Sequence, residues 1–242
     1  MTKITGMQRA HTLNQIGIHK GDTMLVVMPH PDDETGFIGG FLAKCCNGEV
    51  NVRLVCVTDG AKSTLRFGLS DEDDLKEVRK KELSNALNVL GIDSFIHANF
   101  GDGEIEDHMD EISEYVENEI TAFHPQFVVT LEPDGGYGHP DHIALSTIVT
   151  KLYEKDKNRF TLIYATVAPG WLADEGSRNM ARKEIHPIYP NVRVYLSESD
   201  ASKKVKAFKA HSSQFSVEET MRDLDEQTVD MMEHEYLFIV GK

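Results

Sequence analysis

The stretch LVVMPHPDDETGFIGG, residues 25–40, joins a run of apolar residues to a proline-bounded cluster of one histidine and three acids. The apolar run indicates a buried strand, and apolar side chains recur at helical spacing from about Thr35 onward. The charged cluster therefore lies where a strand ends and a helix begins. In a parallel α/β sheet, ligands and chemistry gather at the carboxyl ends of the strands. The stretch thus predicts both a fold class and the place of a functional site.

The rest of the chain repeats this alternation of strands and helices. Apolar, β-rich runs occur at residues 23–28, 50–58, 94–98, 126–132 and 160–167. Helices are expected from about Thr35, over about 71–90, over about 107–123 and from the HPDH sequence onward. Such alternation predicts parallel pairing with helices on both faces. The expected fold is a single-domain, Rossmann-like α/β three-layer sandwich with a mostly parallel central sheet, followed by an edge strand at 192–196, a helix near 201–210 and a strand at 235–240.

Composition disfavours several classes of function. Forty acidic residues against 25 basic ones give a formal net charge of −15, whereas nucleic-acid binding needs a cationic face. The three cysteines lie in apolar segments without C-x-x-C spacing, which is typical of reduced thiols in the cytoplasm. No run reaches the roughly 18 apolar residues of a membrane helix, and the N-terminus lacks the apolar core of a signal peptide. The sequence predicts a cytoplasmic protein without nucleic-acid or membrane partners.

A second polar cluster, EPDGGYGHPDHIAL at residues 132–145, also follows an apolar run and opens a helix. Proline at the first helical position makes His139 the predicted N-cap and places His142 on the same face three residues later. Because the carboxyl ends of parallel strands share one edge of a sheet, both clusters are expected to meet there. The donors that they bring together are His30, His139, His142, Asp32, Asp33 and Asp141.

This donor set is typical of a catalytic site for a divalent metal. Two histidines and one carboxylate with open coordination positions suit zinc, and Fe(II) uses the same donors. A bound ion would polarise a carbonyl group and lower the pKa of a water molecule, leaving nearby carboxylate and imidazole groups as general base and acid. A structural cluster is the alternative, since a helix N-terminus stabilises acids and a proline-capped helix start can carry histidines without chemistry.

The motifs resemble those of the PIG-L/LmbE-like family of metal-dependent N-deacetylases, which act on N-acetylglucosaminyl compounds or cleave related amides. PHPDDE, RKKELSNALNVLG, GGYGHPDH and KAHSSQ follow the family order across residues 24–214. The GGYGHPDH form most resembles deacetylases and amidases of mycothiol metabolism. The resemblance implies one deacetylase domain over residues 1–242, a small amino-sugar substrate, and Zn²⁺ as cofactor, with Fe²⁺ or another divalent ion as alternatives. It leaves open whether the protein forms a homo-oligomer.

The resemblance also implies a role for each matched residue. The implied metal ligands are His30, Asp33 and His142. Asp32 would be the general base that takes a proton from the attacking water. His139 would stabilise charge in the transition state or protonate the departing amine. Tyr137 would contact the carbonyl oxygen as negative charge develops, and its alternative role is packing within a glycine-flanked turn.

Further polar residues have two interpretations each. Arg79 and Glu82 lie on the apolar stripe of the second helix, so both charges need a partner or a ligand. The resemblance suggests that Arg79 reaches toward sugar hydroxyls, and an Arg79–Glu82 pair is the alternative. Asp102 would likewise accept hydrogen bonds from sugar hydroxyls, or be an ordinary turn residue. Asp141 is expected to orient a neighbouring ligand, and His211 is either pocket wall or packing.

The expected reaction is hydrolysis of an N-acetyl group from an N-acetylglucosamine-type amino sugar or its conjugate. One alternative is a metal-dependent amidase or esterase that acts on another small substrate, such as a thiol-sugar conjugate. The other is a non-catalytic sugar-binding module on the same fold. An irregular stretch at 168–190, which contains Trp171, is expected to be a lid, a pocket wall or a solvated surface excursion.

Overall fold

The computed structural model describes residues 6–70, 74–171, 184–215 and 232–241. Within these ranges, one sheet contains the strands β1 (Gln8–Ala10), β2 (Thr23–Met28), β3 (Asn51–Thr58), β4 (Ser94–Phe100), β5 (Phe127–Leu131), β6 (Thr161–Thr166), β7 (Val192–Tyr195) and β8 (His234–Ile239). Their order is β1-β7-β8-β6-β5-β2-β3-β4. Only β8 runs against its neighbours, β6 and β7. The sheet is therefore mixed but mostly parallel.

Helices cover both faces of this sheet. They are α1 (Asp33–Asn47), α2 (Leu75–Leu90), α3 (Met109–Phe123), the short α4 (Gly135–Gly138), α5 (Pro140–Lys155) and α6 (Glu198–Ala210). Helix α6 packs against both α1 and α2, whereas α3 packs against α5. None of the helices in the described part of the chain is long and apolar enough to serve as a membrane span.

Two apolar cores lie on opposite faces of the sheet. Successive residues of β2 point to opposite faces, and Val26 belongs to one core while Val27 belongs to the other. The first core contains Phe41 of α1, and the second contains Ile112 of α3 and Leu145 of α5. This arrangement of helices, sheet and helices confirms the predicted α/β three-layer sandwich. The prediction of one domain over residues 1–242 includes undescribed residues and stays a prediction.

The structure corrects one strand assignment. The segment at 192–196 was predicted to be an edge strand, but β7 pairs in parallel with β1 on one side and antiparallel with β8 on the other. The outermost strand is β1, whose three residues are too short to show an alternating pattern. Helix α6 begins at Glu198, earlier than predicted, because Ser197 and Asp200 form a capping box at its start. Residues 71–73 of the predicted second helix lie outside the described residues.

The parallel pairing of neighbouring strands positions the polar loops. Strand β2 lies between β3 and β5 and runs parallel to both. The PHPDDE loop follows β2, and the second cluster follows β5. Both loops therefore leave the same edge of the sheet, together with the segments that follow β3 and β4.

Candidate metal centre

Three side chains from the two loops converge at this edge. His30 Nδ1 lies 3.1 Å from His142 Nε2 and 3.2 Å from Asp33 Oδ2. His142 Nε2 lies 3.3 Å from Asp33 Oδ1. Ligands about 2.0–2.1 Å from a tetrahedral zinc ion lie roughly 3.3 Å apart. Each of these separations matches that spacing, with Asp33 facing His30 through Oδ2 and His142 through Oδ1. All three side chains are buried.

Hydrogen bonds on the far side of each imidazole determine which nitrogen faces the centre. His142 Nδ1 lies 2.9 Å from the carbonyl oxygen of Gly135, which can only accept, so Nδ1 carries the proton. His30 Nε2 lies 3.1 Å from Asp141 Oδ2 and 3.3 Å from Asp102 Oδ1. Both neutral rings would then present a lone pair to the same point. A metal ion or a shared proton between the two nitrogens would satisfy both lone pairs.

The electrostatic surroundings also favour positive charge at this point. Burial lowers the pKa of His30, but the carboxylates of Asp102, Asp141 and Asp33 outweigh it and hold this pKa well above its usual value. Burial raises the pKa of Asp33, but His142 and His30 outweigh it and hold this pKa well below its usual range. A divalent ion can replace the proton that these groups would otherwise share. The donor set therefore fits a metal cofactor.

Among the described residues, two overlapping groups of side chains have ligand atoms within 4.8 Å of one another: His30 with His139 and His142, and His30 with Asp102 and Asp141. The second group would use His30 Nε2, which already faces Asp141. Asp102 and Asp141 both face this nitrogen, the position from which a carboxylate commonly accepts the other N–H of a ligating histidine. Asp141 also accepts the backbone N–H groups of Gly103 and Ile105.

Asp32 lies beside the three converging side chains in a strained conformation. Its φ of 147° and ψ of −22° fall outside the regions that a non-glycine residue prefers, at a cost of about 1–3 kcal/mol. Its Oδ2 lies 3.0 Å from Arg79 Nη2. Burial raises the pKa of Asp32 to about 6, with the nearby guanidinium of Arg79 opposing that rise. A carboxylate with this pKa is suited to accept a proton near neutral pH.

Arg79 is buried behind Asp32. Besides the ion pair with Asp32, Arg79 donates to the carbonyl oxygens of Gly60 at 2.8 Å and Pro31 at 2.7 Å. Gly60 has a φ of +64°, and a Cβ there would lie only 2.4 Å from Arg79 Nη1. Glu82 accepts three hydrogen bonds from Ser212 and Ser213. Arg79 and Glu82 thus contact different partners and do not form the pair that was the alternative prediction. Contact of Arg79 with a sugar stays a prediction.

Asp102 lies behind His30 rather than at an open surface. Its Oδ2 accepts the backbone N–H of Lys62 at 2.8 Å, and its Oδ1 faces His30. Burial raises the pKa of Asp102, but His30 and the Lys62 N–H outweigh it and lower this pKa to about 2. The carboxylate is therefore ionised in the folded protein. Its predicted contact with sugar hydroxyls remains a prediction.

His139 caps α5 as predicted from the proline that follows it. Its Nδ1 accepts the backbone N–H of Asp141 at 3.2 Å, so a neutral His139 ring carries its proton on Nε2. The ring lies 4.7 Å from that of His30 and 4.9 Å from that of His142, between centroids. Tyr137 lies nearby, with its ring 4.9 Å from that of His142.

The α4 turn that carries Tyr137 depends on a residue that sequence reasoning missed. Glu132, fully buried, accepts the backbone N–H groups of Gly136 at 2.8 Å and Asp134 at 3.2 Å. Gly136 has a φ of +75°, and a Cβ there would lie 2.5 Å from the Phe37 ring. The glycine therefore lets the turn approach α1 closely. The available signal in the sequence was the position of Glu132, an acid directly after an apolar run and three residues before the GGYGHPDH motif.

A cavity adjoins the centre. Asp32 and Asp33 form part of its wall, as do Ala168 and Trp171. The described start of the irregular stretch at 168–190 is therefore pocket wall, while its residues 172–183 lie outside the described residues.

Comparison with known proteins agrees with the motif resemblance. The chain matches the family described as "PIG-L: GlcNAc-PI de-N-acetylase" over residues 25–153. A probable N-acetyl-alpha-D-glucosaminyl L-malate deacetylase 2 from Bacillus anthracis is 29% identical over 226 residues, covering 89% of this chain and 94% of the relative. A 1D-myo-inositol 2-acetamido-2-deoxy-alpha-D-glucopyranoside deacetylase from Mycobacterium sp. (strain JLS) is 29% identical over 230 residues, covering 80% of this chain and 74% of the relative.

Structural comparison supports the same fold. The crystal structure of the zinc-inhibited form of teicoplanin deacetylase Orf2 matches with a TM-score of 0.67 at 18% identity, covering 90% of this chain and 97% of that one. The family match extends over more than half of the chain and includes both clusters that meet at the candidate metal centre. The chain therefore belongs to the PIG-L family of GlcNAc-PI de-N-acetylases.

Proposed function

We propose that this protein is a metal-dependent hydrolase that removes the acetyl group from an N-acetylglucosamine-type amino sugar or its conjugate. The observation that carries the proposal is the convergence of His30, Asp33 and His142 to within 3.3 Å of one another, with Asp32 beside them. The two relatives described above are named as deacetylases of acetylated glucosaminyl compounds, which supports the reaction class.

His30, Asp33 and His142 would hold the ion, for which zinc is the first choice and Fe²⁺ an alternative because both accept nitrogen and carboxylate ligands. When bound, the ion supplies polarisation of the amide carbonyl and a lowered pKa for a water molecule. Asp102 and Asp141 orient His30 through its Nε2, and the carbonyl of Gly135 orients His142.

Asp32 accepts the proton of the attacking water, a role that its raised pKa of about 6 supports. The oxygen of that water bonds to the acetyl carbon and gives a tetrahedral species with negative charge on the former carbonyl oxygen. The C–N bond then breaks as a proton passes to the amine nitrogen. His139 offers its Nε2–H to the developing charge or to the departing amine. The Tyr137 hydroxyl donates a hydrogen bond to the carbonyl oxygen, and a donor of this kind contributes about 3 kcal/mol to transition-state stabilisation. The products are acetate and a free amino sugar.

The proposal is tested by metal analysis of the purified protein and by acetate release. N-acetylglucosamine, its α-linked conjugates and a thiol-sugar amide are incubated with metal-loaded protein, with and without chelator. We expect bound zinc or iron, acetate release from N-acetylglucosaminyl compounds, and loss of release with chelator. Cleavage of the thiol-sugar amide alone would instead favour the amidase alternative. Saturable sugar binding with no hydrolysis of any compound would refute the proposal.

A further inference from the structure

The cavity beside the metal centre is much larger than an acetyl group. Its volume is about 340 Å³. Since one water molecule takes up about 30 Å³, this space has room for roughly ten groups of that size, whereas an acetyl group has three heavy atoms. Most of the wall is apolar or aromatic, and it includes Phe37, Tyr137, Val167, Trp171, Phe208 and Phe215.

The charged groups in the wall already have partners. Lys204 Nζ lies 2.7 Å from Glu235 Oε1, and both side chains are buried. The carboxylate of Glu235 also accepts the backbone N–H groups of Gly40 and Phe41. Asp32, at the end nearest the metal centre, pairs with Arg79, which is not part of the wall. Asp33, also in the wall, faces His30 and His142. Each of these charged groups thus already has a charged or histidine partner, and the wall does not call for a charged ligand.

The uncharged polar groups of the wall are few and include Gln214, Thr166 and the polar tips of Tyr137, Trp171 and Tyr236. Gln214 donates to the carbonyl of Leu65 and to Ser213, and it accepts from Ser63. Among the described residues, Thr166 Oγ1 is a buried lining atom without a hydrogen-bond partner. A sugar ring placed here would leave most of its hydroxyls unpaired, which is unfavourable. An apolar group would gain from the burial of its surface, and Thr166 could satisfy one linking oxygen.

We propose that this cavity binds an apolar substituent of the substrate, a hydrocarbon chain or an aromatic ring. The proposal rests on the proposed function, because it names a part of the molecule whose amide is cleaved at the adjacent centre. The substituent is carried either by the aglycone of the amino sugar or by the acyl group. Both sources present the same chemistry to the wall, and binding experiments distinguish them.

Binding is measured by calorimetry with ligands that contain no cleavable amide, so the result does not depend on hydrolysis. The first series is methyl, butyl and hexyl β-D-glucoside, and the second is N-methanesulfonyl, N-butanesulfonyl and N-hexanesulfonyl glucosamine. We expect Kd to fall by roughly twofold to fourfold for each added methylene in at least one series. A gain in the first series assigns the cavity to the aglycone, and a gain in the second assigns it to the acyl group.

Equal affinity for the methyl and hexyl members of both series would overturn the proposal. Because no bond is broken in these titrations, a protein that binds the long chains but releases no acetate would refute the proposed function and leave the cavity assignment intact. The reverse result, acetate release without any chain-length gain, would overturn only the cavity assignment.

Variants localise the effect. Ala168→Phe places a large side chain in the wall, and we expect it to abolish the chain-length gain, measured as the ratio of the Kd values of the methyl and hexyl compounds in the same protein. Ala122→Phe on the exposed face of α3 is the matched control and should keep the full gain. Should Ala168→Phe fail to fold, Trp171→Ala tests the same wall by removing apolar contact and should halve the gain or more. An undiminished gain in folded Ala168→Phe or Trp171→Ala protein would overturn the proposal.

Discussion

His211 Nε2 lies 3.0 Å from Glu34 Oε1, although 177 residues separate them in the chain. The other oxygen of Glu34 accepts the backbone N–H of Asp32 at 3.1 Å. Both His211 and Glu34 are fully buried. Because Asp32 has a strained backbone, this hydrogen bond helps to hold it in place. The C-terminal AHSSQ motif is thereby connected to the PHPDDE loop.

Replacing His211 by alanine should lower both stability and turnover. The change leaves the Glu34 carboxylate buried without its imidazole partner, which typically costs about 3–5 kcal/mol, and it loosens the support of Asp32. Urea unfolding and kcat measure the two effects. His186→Ala removes an exposed histidine and should change stability by less than about 0.5 kcal/mol. Wild-type kcat in folded His211→Ala protein would show that Glu34 holds Asp32 without this contact.

Replacing Asp32 by asparagine should lower kcat by about 10²–10⁴-fold, because the amide cannot accept the proton of the attacking water. The metal content should be unchanged, since the converging ligand atoms belong to His30, Asp33 and His142. Metal analysis together with acetate-release kinetics checks both parts. Normal turnover by purified Asp32→Asn protein would reject Asp32 as the base.

Arg79→Lys should reduce kcat by about 10²-fold, the scale of a displacement of about 1 Å in a catalytic group. Lysine keeps the charge but cannot contact Gly60, Pro31 and Asp32 together, as the guanidinium does. KM should change much less than kcat, since the effect acts through Asp32. A raised KM with unchanged kcat would instead indicate direct contact of Arg79 with the sugar.

Asp141→Asn should weaken metal binding by about 10–100-fold, the usual effect of removing a carboxylate that orients a histidine ligand. Its Oδ2 lies 3.1 Å from His30 Nε2, away from the convergence point. Competition with a chromogenic chelator measures the affinity. His142→Ala is the reference for loss of a direct ligand and should lose far more affinity. Equal losses in the two variants would contradict the assignment of Asp141 to orientation.

The contribution of Asp200 to stability should depend on pH. Burial raises the pKa of Asp200, but hydrogen bonds from Ser197 and Asn47 and the charge of Lys44 outweigh it and lower this pKa below its usual value. A carboxyl group whose pKa is lowered by folding stabilises the protein at pH values above its pKa in the unfolded chain, about 3.9. This contribution is lost as the pH falls through the pKa of the folded state.

Asp200→Asn should therefore cost about 1 kcal/mol at pH 7, through weakening of the α6 capping box, and progressively less below about pH 4. The difference in unfolding free energy between the two proteins, measured by urea titration from pH 7 to pH 3, checks this. A difference that stays constant across that range would show that the carboxylate charge contributes nothing.

Local patterns in the sequence were sufficient to predict the layered α/β fold. The alternation of apolar runs with helical stripes depends on residues close in the chain, and so does the N-cap at His139. Both metal-site motifs follow predicted strands, so their meeting at one edge was predictable from parallel pairing alone. The strand β1 was missed because its three residues carry no periodic signal.

Contacts between distant segments were decided only by the tertiary structure. The sequence placed Arg79 on a buried stripe, but its partners Gly60, Pro31 and Asp32 come from loops that follow other strands. The pairing of His211 with Glu34 similarly depends on how α6 packs beside α1. A buried charge must have a partner, and the sequence can reveal that such a partner is needed. Which partner it finds depends on packing across the whole molecule, because residues far apart in the chain meet only when the helices and the sheet have assembled.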